Sequence, residues 1–212
     1  MAVKGTEVVR GSLPLLVCSS AVAVVAAVIG PIVGTSRPAI FVGTFLLATV
    51  SLVVVDGAVH FSRAVKWSII GIIYANLLLS MTPYEGGEFY AFRLFGTKEL
   101  RLDNLMHGAA AAVAAIAVSE ICLACIGVPK ARWGLAVVSV LAALGLGALK
   151  ELLDSALGGI DAEELMWSTG RDLAWNTMGA CIVGLVILFV GTTTPRPSTT
   201  AGSELPPQSD RR

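Results

Sequence analysis

A chain of 212 residues that is 55% hydrophobic and only 14% charged, with a formal net charge of +0 and a mean hydropathy of +0.79, is too apolar for a soluble domain of its size. These figures predict an all-α, polytopic transmembrane bundle in the cell membrane, and no nucleic-acid partner is expected. The apolar runs are continuous and lack the alternation of a membrane barrel, so helices, which bond their own backbone groups in hydrocarbon, are the expected spanning elements.

A helical span needs roughly 20 apolar residues. By that measure there are about six runs, at about 13–34, 38–59, 64–82, 103–127, 133–157 and 172–191, forming one domain over residues 1–191. The first run follows Lys4 and Arg10. A cleaved signal peptide competes with a retained helix there, and the run's length and the spans behind it favour retention. The second run closes on Asp56-x-x-x-His60. The third leads to a loop carrying Tyr84, Glu85, Glu88 and Tyr90, whose rings suit the headgroup level of a bilayer or, as a sharper alternative, a lid.

The fourth run opens with Asp103-x-x-x-His107-Gly108, the fifth approaches its end with Lys150-Glu151-x-x-Asp154, and the sixth opens with Asp172-x-x-x-Asn176-x-x-Gly179. A charge at the bilayer centre costs about 2.5–3.5 kcal/mol, less toward the ends, so charges retained here point to use. Cys18, Cys122, Cys125 and Cys181 read as small core residues; Cys122-x-x-Cys125 without a second pair is a weak metal or redox signal. From about residue 192 the chain becomes rich in Thr, Pro, Ser and Gly, which predicts a disordered cytoplasmic tail over 192–212.

With both termini cytoplasmic, Lys and Arg are in modest excess on the inner segments, the sign expected of the positive-inside rule. Most acids, from Glu85 and Glu88 to Asp161, Glu163 and Glu164, then lie outside. The three polar clusters fall at one depth on this topology and are expected to line one extracytoplasmic pocket. Residues three or four apart share a helix face, so Asp103 with His107, Glu151 with Asp154, and Asp172 with Asn176 can each present to a common neighbour. Two helix N-termini, with their free N–H groups, are expected to face the same space. Gly108, Gly134, Gly145, Gly147, Gly179 and Gly184 let membrane helices approach closely, so runs four to six should form the tight half of the bundle.

On these motifs, over about 80 residues of the C-terminal half, the chain resembles the VanZ-like membrane proteins and the related YjdF-like integral membrane proteins. It departs from the VanZ-like pattern at Asp154, where glutamine is common, and at Arg171, which adjoins the last aspartate directly; the acidic choice at 154 leans toward the YjdF-like branch. The resemblance implies a role at the cell surface, which for VanZ is resistance to glycopeptide antibiotics, and carries over no catalytic residue.

Three chemistries follow from the residues. The first is a divalent-metal site of Asp103, His107, Glu151, Asp154 and Asp172, serving a hydrolase or transferase on a lipid-linked or envelope substrate. There His107, Glu151 and Asp172 are the candidate catalytic residues, and Lys150, Arg171 and Asn176 the candidate substrate-binding ones. The second is a non-catalytic envelope or accessory protein in which Lys150 or Arg171 locks the acids and a lipid headgroup, glycopeptide or partner, a membrane protein or a second copy of the chain, is bound. The surplus of acids over bases asks for a cation or for protonated carboxyls. The third is ion- or proton-coupled transport, motivated by Asp56, His60 and Glu120. Glu120 lies about 25 Å along its helix from Asp103, too far for the same pocket.

Overall fold

The computed structural model describes residues 17, 20–25, 28, 38–84, 87–88, 92–94, 100–127, 132–158 and 162–190. The tail over 192–212 and Cys18 lie outside them. The fold is a helical bundle: α1 (20–25), α2 (Pro38–Val59), α3 (Arg63–Met81), α4 (Leu102–Ile126), α5 (Arg132–Gly158) and α6 (Ala162–Phe189). Among the described residues three segments are long and apolar enough to cross a membrane, Leu102–Ile126, Arg132–Leu153 and Met166–Phe189, with a shorter apolar helix over Phe45–Val59. Helices α2 and α3 flank the other three.

The closest association is among α4, α5 and α6, as their small residues predict. Ala111, Ala115, Ala136, Ala143 and Ala180 meet at their core with Leu135, Val183 and Ile187. Lipid tails are as apolar as these side chains, so close van der Waals approach holds the helices together more than exclusion of water does. The tightest point is the crossing of α4 and α6, where a Cβ on Gly179 would overlap the carbonyl of Gly108. A Cβ on Gly184 would instead meet a side chain, Val140 Cγ2, at 2.8 Å.

The entry to α4 is built by the chain before it. Strands β1 (Pro83–Tyr84) and β2 (Gly87–Glu88) pair antiparallel. A second short pairing joins Leu94 N–H to the Leu100 carbonyl at 2.9 Å and Leu102 N–H to the Phe92 carbonyl at 3.0 Å. Sequence periodicity showed neither, because two-residue ladders are too short to alternate. The Arg101 N–H then donates to Asn104 Oδ1 at 2.8 Å, one half of a capping box, and the Ala-rich helix, the strongest former of helix, runs on to Gly127. There a φ of 84° ends it, with the Gly127 N–H on the Leu123 carbonyl at 3.1 Å.

One boundary differs from expectation. α6 begins at Ala162 rather than near 172, because Ala162-Glu163-Glu164-Leu165-Met166 are good helix formers with no proline among them. Asp172 therefore sits well inside the helix, where backbone N–H groups are already bonded, and α4 alone brings an open N-terminus to the site.

Candidate functional site

His107, one turn into α4, is the centre of the polar cluster. Its Nε2 lies 3.4 Å from Asp103 Oδ1 on the same helix, 3.7 Å from Asp172 Oδ2 on α6, and 3.3 Å from Lys150 Nζ on α5. Its Nδ1 faces Glu151 Oε1 at 3.8 Å, and Lys150 Nζ donates to that same Glu151 oxygen at 3.0 Å. An ammonium carries donors and no acceptor. The contact with Lys150 is a hydrogen bond only in the tautomer that keeps the Nε2 lone pair free and carries the ring proton on Nδ1, toward Glu151.

Three side chains, Asp103, His107 and Asp172, each offer a ligand atom within 4.8 Å of the others. His107 and Asp172 are buried, 7% and 5% exposed, and Asp103 is partly buried. Glu151 is buried too, and its Oε1 lies on the side of the other ring nitrogen, beyond hydrogen-bond distance at 3.8 Å. Among the described residues Asp172 Oδ1 receives no hydrogen bond, and Arg171 Nε lies 3.9 Å from it.

The sequence-predicted residues thus divide. Asp103, His107, Glu151 and Asp172 come together, with Lys150 in contact and Arg171 at the edge. Asn176 is buried one turn below Asp172, with its Nδ2 unpartnered; it packs on Gly147, where a Cβ would stand 2.7 Å from that nitrogen. The Asp154 backbone is helical, and its side chain lies outside those described. Asn104 was not singled out by sequence, yet it is completely buried one turn before His107, its Nδ2 unpartnered. Its spacing of three from His107 was the available signal.

The residues behind the transport reading lie at the other end of α4. Glu120 Oε2 accepts the Ser62 N–H at 2.8 Å, and Lys66 Nζ pairs with Asp56 Oδ2 at 3.1 Å. Ser62 is the N-cap of α3, and His60, at a φ of 56°, turns the chain out of α2. This set ties the α2–α3 turn to α4. Cys122, Cys125 and Cys181 are free thiols.

Outside the α4–α6 crossing, Leu105, Ala109, Ala112, Trp175 and Met178 line an open apolar groove, and a second opening is lined by Met166, Trp167, Gly170 and Arg171. Fold and site together define a helical integral membrane protein with an acidic, histidine-centred polar cluster between three helices. The chain belongs to the predicted membrane protein family DUF2238, whose family model matches residues 13–193. No curated protein and no solved structure matches it.

Proposed function

We propose that this protein holds a divalent cation between Asp103, His107 and Asp172 and uses it at the extracytoplasmic membrane surface to hydrolyse or transfer the anionic head of a lipid-linked envelope substrate. The observation that carries the reading is the convergence of one imidazole nitrogen and two carboxylates, from two helices, to within 4.8 Å. Two oxygens and one nitrogen suit a divalent ion, and three protein ligands leave positions for water or substrate. A cation so held supplies polarisation of a phosphoryl oxygen or an acidified water. Glu151 stands on the Nδ1 side of the imidazole, the side from which a carboxylate orients a metal-bound histidine, Arg171 at the rim suits a phosphate, and the groove beside Leu105 and Trp175 suits an acyl or isoprenoid chain. Kinship with VanZ-like and YjdF-like proteins, on the same motifs, belongs to this proposal.

Calorimetric titration of Mn²⁺ and Zn²⁺ into detergent-purified protein tests it. Wild type should bind close to one ion per chain, and Asp172→Asn should weaken binding at least about tenfold. No saturable binding by wild type, or equal binding by the variant, overturns it.

A second reading is favoured by one specific contact set: Lys150 Nζ on Glu151 and His107. In that reading the ammonium is the permanent partner of the acids, the cluster is a polar lock between α4, α5 and α6, and the protein is a non-catalytic envelope component.

A further inference from the structure

The two readings use the same atom. A metal held by Asp103, His107 and Asp172 needs the His107 Nε2 lone pair, at about 2.0–2.3 Å, and Lys150 Nζ stands 3.3 Å from that nitrogen. With the ring proton on Nδ1, Nε2 has no proton for Asp103 Oδ1 or Asp172 Oδ2, at 3.4 and 3.7 Å. Two carboxylate oxygens and a lone pair face one another, an arrangement that a cation among them stabilises. The ammonium is the cation in contact with it. Its stem is on α5 and its side chain is 51% exposed, against 7% for Glu151 beside it, so it can swing off the cluster without unpacking the bundle.

We infer that Lys150 is the site's resident cation, a tethered competitor that a divalent ion displaces, so that ion binding and release of the lysine are one event. This rests on the cation reading of the same site and adds a regulating residue to it. The affinity for the ion is then set below what the three ligands alone would give, because each binding event breaks the contacts of Lys150 with His107 and Glu151. In either state a positive charge stands beside the buried acids, the ammonium on Glu151 or the ion on the triad.

The test has two arms. Mn²⁺ titration of Lys150→Met should give binding about tenfold or more tighter than wild type, because a unit positive charge a few ångströms from the ion is removed, while Lys150→Arg, which keeps the charge, should not tighten it. In wild type, amine-reactive labelling of Lys150 read by mass spectrometry should rise several-fold on Mn²⁺ addition, with Lys66, paired to Asp56, as the internal reference. Labelling needs no variant, so a misfolded Lys150→Met leaves a decisive measurement. Wild-type binding with no tightening in Lys150→Met, or with no rise in labelling, overturns the competitor role and leaves the cation site standing. No binding by wild type or Lys150→Met overturns both.

Discussion

Gly179 on α6 meets the backbone of Gly108 on α4 with no room for a side chain on Gly179, whereas a Cβ on Gly108 would stand in ordinary contact with Trp175 at 3.5 Å. The glycine contact lies just beyond the polar cluster, one residue after His107, and so sets the separation of the two helices that carry Asp103, His107 and Asp172. A glycine pair of this kind is a membrane helix-packing device, here also the ruler for a site whose atoms must fall within a few ångströms.

Gly179→Ala should therefore disturb both stability and the site. The added methyl forces the helices apart, and overpacking of this sort costs about 1–3 kcal/mol. Thermal unfolding in detergent should show a lowered midpoint, and divalent-ion binding should weaken along with it. A Gly145→Ala control, where nothing lies within 4 Å of the new Cβ, should be close to neutral.

Gly147→Ala separates packing from ligation. The new Cβ would press on Asn176 Nδ2 at 2.7 Å, the end of a side chain that can shift. Stability should fall by about 1 kcal/mol while ion binding by the triad persists. Loss of binding as complete as in Asp172→Asn would show that Asn176 is itself required for the cation.

His107→Ala should abolish divalent-ion binding, since it removes the nitrogen on which the triad converges, whereas Glu151→Gln should weaken it about 10–100-fold, as loss of an orienting partner does. Titration calorimetry on the two variants checks the order. Equal loss in both would make Glu151 a ligand in its own right.

At the far end of α4, Glu120→Ala removes the acceptor of the Ser62 N–H and should destabilise the α2–α3 turn by about 1–3 kcal/mol, with Glu120→Gln restoring much of it because its amide oxygen can still accept. Hydrogen exchange at residues 60–66 should rise in the alanine variant. Ion binding at the Asp103 end should be unchanged, and a matched loss there would mean that the two polar ends are coupled through the helix.

Much of the architecture was legible because it follows from rules local to the chain. Long unbroken apolar runs predict membrane helices, glycine and alanine spacing predicts which helices pack closest, and i, i+4 spacing puts Asp103 beside His107 on one face. The start of α6 was not legible as a boundary: residues 162–171 contain charge and a glycine, and hydropathy broke off where helical hydrogen bonding continues. Asn104 and the Glu120–Ser62 contact were also hidden, the first because one amide in an Ala-rich helix carries no pattern of its own, the second because its partners are 58 positions apart.

That the acids and the histidine belong to three helices and fall near a common depth follows from residue order alone, since charge in an apolar run has to be placed where it is paired or used. Which atoms meet is a matter of how the helices pack. Helix rotation and the Gly108–Gly179 crossing bring Asp172 to Nε2 of His107, Glu151 to Nδ1, and the Lys150 ammonium to the lone pair that the proposed cation requires. Those choices depend on distances between helices, which residue spacing along one helix does not carry.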